Sequence, residues 1–271
     1  MKPVRAFFRK YTLFSFFVIT FLISWAAWLP MMATGETELL RVLGTFAPAI
    51  TALAITVVLD GRAGLARIGR KMMAWRFGAG WYAVALIAPA ALLLSAIWLA
   101  VWSGMAKPIF NDPRQLYLVI PAFLYVLLFS VLGEEIGWRG FAQERLQRSM
   151  GAFNASLVVG AAWGIWHLPL FFIPDNFHAG IPLAAFLLQD LALAVVMAWL
   201  YNGSGGSLLL VHLFHAASNT ALGVLPVLPM DTGGDLRALW IAVLLLCIWS
   251  VVLATKLDLR TLAVSRGEQT R

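Results

Sequence analysis

Charged side chains are scarce in this sequence: only 12% of its 271 residues are Asp, Glu, Lys or Arg, whereas 61% are hydrophobic. A soluble domain of this length needs a polar shell, which so few charges cannot make. The mean hydropathy is +0.84. Apolar runs of roughly 18 residues or more recur along the chain, which is typical of a helical protein that crosses a membrane several times. The composition therefore excludes a soluble protein.

Cysteine is nearly absent as well, since Cys247 is the only one. A disulfide framework is excluded, and the apolar run around Cys247 indicates a small hydrophobic core residue. The glycine-rich stretch NGSGGS at 202–207 lacks the Lys-Ser or Lys-Thr pair of a phosphate-binding loop. It predicts a tight turn between two spans.

Apolar segments of membrane-spanning length are abundant. They predict an all-α fold: a single integral membrane domain over residues 1–271 with about eight transmembrane helices, because helices satisfy their own backbone groups in lipid. The predicted spans are 11–33, 42–59, 81–102, 116–133, 152–173, 181–201, 207–228 and 238–255.

The positions of the basic residues predict the orientation. Of the 20 Lys and Arg residues, 16 lie at the N-terminus, after the second span, after the fourth span or in the C-terminal tail. The other four are Arg41, Lys107, Arg114 and Arg237. Because basic residues accumulate on the cytoplasmic side, both termini are predicted to be cytoplasmic, in a bacterial or archaeal cell membrane. The same distribution accounts for the net charge of +7, so membrane lipids are expected partners and nucleic acid is not.

One basic segment, GRAGLARIGRKMMAWRFG at 61–78, allows two interpretations. The charge bias alone explains its arginines. Alternatively, its apolar residues at helical spacing predict an interfacial helix on anionic lipid.

The end of the fourth span carries two adjacent carboxylates and an arginine, in the stretch SVLGEEIGWRGF. Glu135 and Arg139 are four residues apart, so they share a helix face and can form an ion pair. Glu134 and Arg139 are five apart, which is about 140° around an α-helix. Arg139 can therefore neutralise Glu135 and leave Glu134 free to act as a base.

Other polar side chains lie within the fifth, sixth and seventh spans. His212, His215 and Asn219 are spaced three and four apart on one face, and an imidazole and a carboxamide one turn apart can donate to a single oxygen. His167 lies in the fifth span and Asp190 in the sixth. Each has a structural alternative, as a satisfied core histidine or as a polar contact between helices. Their joint presence on several spans favours a functional site.

Three short motifs resemble a known family. EEIGWR fits Glu-Glu-x-x-x-Arg, WGIWH fits an aromatic residue followed four positions later by histidine, and HAASN fits His-x-x-x-Asn. In this order they resemble the CPBP or Abi family, which comprises type II CAAX prenyl endopeptidases and bacteriocin-processing enzymes. The resemblance covers about 42–255 and implies an intramembrane protease with an eight-helix core. The chain departs from the family at Trp163, where phenylalanine is usual.

The resemblance implies a role for each motif residue. Glu134 and His167 would activate a water molecule, and His215 and Asn219 would hold the oxyanion. Glu135 and Arg139 would support the site. His212 and Asp190 lie outside the motifs and are candidates for an outer layer of contacts.

Metal dependence is a separate question, because the family has been described both as metalloproteases and as metal-free glutamate proteases. A metal-dependent site would use Glu134, His167 and His215 as zinc ligands. His-Glu-x-x-His is absent, and Glu134 with His167 can activate water by general-base chemistry. We therefore expect no metal and no cofactor.

The predicted span boundaries conflict with a shared site. At about 1.5 Å per residue, His215 lies about 12 Å from the cytoplasmic end of its span and His167 about 22 Å, whereas Glu134 lies near the boundary. These residues meet only if the fourth span continues as helix past Phe141, or if the fifth enters the membrane later than Ala152.

Three functions remain open from the residues. An intramembrane endopeptidase acting on a membrane-bound protein or peptide needs a water-filled cavity, which we expect to open to the cytoplasm. An ion- or proton-coupled transporter also contains buried carboxylates and histidines, but no paired broken helices appear in related halves. A catalytically silent immunity or scaffold relative is the third, although every motif residue is present.

Overall fold

The computed structural model describes residues 2–108, 117–174 and 176–263. Arg114, Arg266 and Arg271, which contribute to the charge count, lie outside the described residues, as does position 116, where the fourth span was predicted to begin.

The described residues form helices and no strand, so the predicted all-α class is confirmed. Apolar side chains with good helix propensity dominate the helices, and their packing provides most of the helical stability. The α-helices are α1 (Lys2–Lys10), α2 (Thr12–Trp28), α3 (Met31–Thr34), α4 (Glu38–Met72), α5 (Ala79–Leu86), α6 (Ala88–Trp102), α7 (Val119–Val126), α8 (Leu132–Gly137), α9 (Glu144–Trp166), α10 (Leu183–Gly203), α11 (Leu208–Val224) and α12 (Arg237–Lys256).

Helix length and apolarity do not confirm the predicted number of membrane crossings. Among the described residues, five helical stretches are long and apolar enough to cross a membrane, or six if α5 and α6, which meet at a 47° bend, form one span. The predicted spans 116–133 and 152–173 overlap one 54-residue stretch, Val119–Phe172, and α11 has only 17 residues. The chain is an integral membrane protein, but the count of eight is not confirmed.

A hairpin centred on Gly151 explains how Glu134 and His167 reach a similar depth in the membrane, which the predicted span boundaries did not allow. Residues 119–150 are helical without a break, so the helix does continue past Phe141, and α9 is interrupted only at Gly151 (φ 78°, ψ 163°). A side chain at this positive φ would be strained, which favours glycine. Glu134 lies 17 residues before this turn and His167 lies 16 after it. The two arms are antiparallel, so both residues reach a similar depth.

Small residues let the helix that carries the carboxylates approach α4 closely. A Cβ added to Gly133 would lie 2.7 Å from the Thr45 carbonyl oxygen, and one added to Gly137 would lie 2.5 Å from Pro48 Cβ. Glycines four residues apart allow such backbone contact between membrane helices. Glu134 and Glu135 lie between these two glycines, so the packing fixes their position in the bundle.

The bundle has two distinct ends. The terminal end contains both described chain ends and is tied together by Lys71–Glu144 (3.0 Å) and by the Ala152 amide donating to the Arg260 carbonyl (2.8 Å). The distal end contains residues 29–37, 173–182 and 229–236. There the Asn176 amide donates to Glu36 over 2.7 Å.

Candidate active site

Glu134 and Glu135 lie on α8, which is flanked by two π-helical segments, Leu127–Val131 and Trp138–Gln143. Such wide turns within α-helices often occur at functional sites. Neighbouring residues on an α-helix point about 100° apart, so the two carboxylates enter different surroundings.

Glu135 is fully buried, and its Oε1 has two side-chain partners. Its Oε1 accepts from Arg139 at 2.9 Å, which is the ion pair that the spacing predicts, and contacts His215 Nδ1 at 2.8 Å. Arg139 is 1% exposed, and its guanidinium lies 4.6 Å from the centre of the Trp163 ring. Buried charges are tolerated when they are paired in this way.

Glu134 has no cationic partner among the described contacts. Its Oε2 accepts from the Trp163 indole N–H at 2.7 Å, and its Oε1 accepts from the Ser130 hydroxyl at 3.2 Å. Two neutral donors therefore orient this carboxylate, which also lines a cavity.

The cavity brings the three motifs together. It has a volume of about 390 Å³, which exceeds the roughly 30 Å³ per molecule of liquid water several-fold. Glu134, Trp163, His167, His215 and Asn219 all line it. Glu135 and Arg139 lie behind the wall, and His212 is outside the lining.

His167 is fixed in one tautomer by the backbone. Its Nδ1 lies 2.9 Å from the Trp163 carbonyl, which can only accept, so Nδ1 carries the proton and Nε2 holds a lone pair. Trp163 thus contacts both residues assigned to water activation, through its indole N–H and its carbonyl oxygen.

His215 and Asn219 are adjacent on α11. His215 Nε2 lies 3.2 Å from Asn219 Nδ2, and both nitrogens are at the cavity wall. An oxygen atom against this pair would contact both. Because an amide nitrogen can only donate, His215 Nε2 accepts from Asn219 in this contact, and Nδ1 carries the proton that faces Glu135.

Asp190 and His212, which were candidates for an outer layer of contacts, differ in their position relative to the cavity. Asp190 lines the cavity, and its Oδ2 is 3.8 Å from His167 Nδ1, which is too long for a hydrogen bond. His212 Nδ1 instead contacts the Leu208 carbonyl at 2.6 Å within its own helix. This geometry indicates a structural contact for His212.

His178 is a cavity residue that the sequence reasoning missed. Its ring stacks on His167 with centres 5.3 Å apart, and its Nδ1 donates to Asn176 Oδ1 at 2.8 Å. Asn176 in turn donates to Glu36. Burial lowers the pKa of His178 to about 4, so the ring is neutral at pH 7. No motif marks it, because it lies in the irregular segment 173–182.

The three side chains that could bind zinc do not converge on one position. Among the described residues, no three His, Cys, Asp or Glu side chains converge as ligands. His215 Nδ1 contacts Glu135 and His167 Nδ1 contacts a backbone carbonyl, which are contacts that metal-bound histidines also make through their second nitrogen. Glu134, His167 and His215 share a cavity, but they do not form the compact tetrahedral set that zinc requires.

The cavity reaches the surface at the distal end. Glu36, Arg41, Tyr125 and Phe177 line its outer part, and Tyr125 and Phe177 are 43% and 39% exposed. These residues lie at the end opposite both described chain termini. The expectations of cytoplasmic termini and of a cavity open to the cytoplasm therefore cannot both hold.

Comparison with known proteins agrees with the motifs. Residues 116–221, which contain all three, match the family described as Type II CAAX prenyl endopeptidase Rce1-like. A CAAX prenyl protease 2 of Methanococcus maripaludis is 29% identical over 143 residues, which cover 50% of this chain and 53% of that protein. The chain thus spans about half the length of this curated relative. The resemblance that the motifs indicate is confirmed: over residues 116–221 the chain is similar to Rce1-like type II CAAX prenyl endopeptidases.

Proposed function

We propose that this protein is an intramembrane endopeptidase that hydrolyses a peptide bond of a membrane-associated protein or peptide. The observation that carries the proposal is the shared cavity, because Glu134 on α8, His167 at the end of α9, and His215 and Asn219 on α11 line one space. A carboxylate base and a pair of donors that face one cavity large enough for water and a peptide group are the components that acyl hydrolysis requires.

In the proposed reaction, Glu134 is the general base. A water molecule attacks the carbonyl carbon while Glu134 takes one of its protons. The Trp163 and Ser130 donors hold the carboxylate in place, and positioning of this kind lowers the entropic part of the barrier. His167 Nε2 is a second acceptor on the same wall, so it orients the water or shares its proton.

The tetrahedral intermediate carries an oxyanion, which we assign to His215 and Asn219. The Asn219 amide has a second N–H that can donate to it, and His215 becomes a second donor when Nε2 takes up a proton. Glu135 holds the imidazole ring in place through Nδ1. Arg139 balances the charge of Glu135. Hydrogen-bond donors that are already aligned stabilise the oxyanion most strongly where water is excluded.

Collapse of the intermediate breaks the C–N bond. The proton that Glu134 accepted passes to the departing amine nitrogen, directly or through His167, and the carboxylate is regenerated. Atoms and charge balance without a covalent enzyme intermediate. No serine or cysteine takes part covalently, and the proposed mechanism uses no metal.

The substrate class is proposed from the relatives, whose printed names specify CAAX prenyl substrates. A protein with a lipidated cysteine near its C-terminus is therefore the first candidate. The apolar lining around the polar centre, which includes Trp28, Leu170, Phe186 and Leu193, is compatible with an apolar substrate segment beside the scissile bond.

Cleavage by purified protein in detergent tests the function. Quenched fluorescent peptides with and without a C-terminal farnesylated CAAX sequence should separate the substrate classes, and Glu134→Ala is the inactive control. Wild-type cleavage that Glu134→Ala lacks is the expected result. If neither type of peptide is cleaved, comparison of cellular C-termini with and without the active protein provides the second test. No difference there would contradict a protease and favour the transporter.

A further inference from the structure

We propose that the terminal end of the bundle holds a binding site for an anionic phospholipid, formed where α1, α2, α4 and the start of α9 meet. The ligand is defined by its chemistry, which is a negatively charged phosphate group joined to an acyl chain. None of the described residues that line this site also lines the Glu134 cavity. The site is therefore independent of the endopeptidase function.

Two adjoining surface pockets form the site. The first, of about 240 Å³, lies between α1, α4 and α9, and the second, of about 450 Å³, lies between α1, α2 and α9. They have Arg9, Arg145 and Arg148 in common. Lys10 adds a basic residue to the second pocket and Arg67 adds one to the first. Basic pockets between membrane helices are typical binding sites for anionic lipid head groups.

Two acidic residues also line the first pocket, and they neutralise only part of its charge. Asp60 pairs with Arg67 at 2.5 Å. Glu144 pairs with Lys71 at 3.0 Å and, at a longer distance of 3.4 Å, with Arg148. Five basic residues face two acidic ones across both linings, so three positive charges remain in excess.

Three basic side chains of the lining form no ion pair with any described residue: Arg9, Lys10 and Arg145. Arg145 is also held in place, because its Nη1 donates to the Phe141 carbonyl at 3.1 Å and its guanidinium lies 3.6 Å from the centre of the Phe141 ring. Its remaining N–H groups are available to an acceptor. Since a guanidinium can bind phosphate through two parallel hydrogen bonds, a phosphate in the shared part of the pockets can be bound by Arg9 and Arg145 together.

The apolar wall of the second pocket favours a lipid over a free anion. Leu13 and Phe14 line this pocket, and Phe14 is 66% exposed. Both residues belong to the first turn of α2, which is long and apolar enough to enter the membrane. Phe14 follows Lys10 by four residues, which is at most about 6 Å of helix. An acyl chain attached to a phosphate beside Lys10 can therefore extend along α2.

Thermal unfolding of the purified protein in a neutral detergent tests the site, because a ligand that binds only the folded state raises the melting temperature. The probes are dioleoyl phosphatidylglycerol, dioleoyl phosphatidylcholine and inorganic phosphate at equal concentrations. We expect a rise with phosphatidylglycerol alone. Equal effects of the two lipids would overturn the charge-based site. A rise with inorganic phosphate as large as that with phosphatidylglycerol would show an anion site and overturn the lipid assignment.

Titration of phosphatidylglycerol by native mass spectrometry then locates the site. Arg9→Gln changes an exposed residue and should weaken binding about fivefold, which is the contribution of one basic residue near a charged membrane surface. Arg145→Gln should cause a similar loss, and Arg9→Gln keeps the test valid if that variant does not fold. Phe14→Ala should also weaken binding, because it shortens the apolar wall.

Arg237→Gln is the matched control, because Arg237 lies at the start of α12 and pairs with Asp235, away from both pockets. Its affinity for phosphatidylglycerol should equal that of the wild type. Wild-type affinity in Arg9→Gln and Phe14→Ala, or an equal loss in Arg237→Gln, would overturn the proposed site. Lipid binding does not require catalysis, so these results leave the test of peptide cleavage unaffected.

Discussion

Glu134 and Glu135 are neighbours in the chain, yet they occupy opposite kinds of surroundings. Glu135 is closed in by Arg139 and His215, with no exposed surface. Glu134 is held by neutral donors and faces a cavity of about 390 Å³. A single step of about 100° around one helix separates them. The difference teaches that adjacency in a motif does not imply a shared role: one carboxylate stabilises the bundle and the other is available for chemistry.

The largest effect is expected for the ion pair of Glu135, whose loss should lower the folding stability. Arg139→Ala leaves Glu135 buried without its guanidinium partner, and breaking a buried pair costs about 3–5 kcal/mol of folding free energy. We expect a lower melting temperature in detergent and a lower folding yield. Arg237→Ala is the matched control, because its ion pair with Asp235 lies on the surface, and its melting temperature should be unchanged. Equal melting temperatures for Arg139→Ala and the wild type would refute the structural role.

A slightly smaller effect is expected at the oxyanion site. Asn219→Ala removes one donor, which typically lowers kcat about 10²–10³-fold. Because the contact forms mainly in the transition state, KM should change little. Ser218→Ala is the control, since the hydroxyl of Ser218 donates to the Phe214 carbonyl and not into the cavity. A rise in KM at constant kcat would instead assign Asn219 to substrate binding.

Trp163→Phe tests the hydrogen bonding of Glu134, at the one position where the chain departs from the motif that it resembles. The substitution keeps the ring and removes the N–H that donates to Glu134 at 2.7 Å. A hydrogen bond to a charged group contributes about 1.5–3 kcal/mol, so kcat should fall by at least about tenfold. Trp25→Phe is the control, because it also loses an indole hydrogen bond, to the Trp166 carbonyl. Equal kcat values for the two variants would remove Trp163 from the orientation of Glu134.

The smallest effect is expected from chelators and covalent inhibitors, which should not change turnover. Treatment with a zinc chelator should leave the turnover of purified protein unchanged, because Glu134 and His167 supply the acceptors for water activation. Reagents that acylate serine or alkylate cysteine should also have no effect. Stoichiometric zinc that is lost together with activity, and restored together with it, would require a different ligand arrangement from the one described.

The sequence predicted the helical class and the ion pair of Glu135, because both depend on local periodicity. It misplaced Glu134 at the membrane boundary, since Gln143, Glu144 and Arg145 resemble a polar loop. In the structure this segment is a helical extension whose Glu144 binds Lys71, far away in the chain. Such tertiary partners are invisible in a single sequence.

One packing contact of the structure could also have been predicted from the sequence. The glycines at 133 and 137 have the spacing of a close helix contact, and they predict the packing against α4. By contrast, no local pattern identifies His178, because its position depends on the fold of residues 173–182 against His167. The end at which the cavity opens is also a property of the whole bundle.

The most direct measurement compares Glu134→Gln with Glu135→Gln, with turnover and melting temperature recorded on the same purified samples. Glu134→Gln should melt like the wild type and be nearly inactive, because a general base contributes about 10²–10⁴-fold to rate. Glu135→Gln should melt at a lower temperature, because Arg139 then lacks its counter-charge. Normal turnover by Glu134→Gln, or equal melting temperatures for the two variants, would contradict the division of roles between the neighbouring carboxylates.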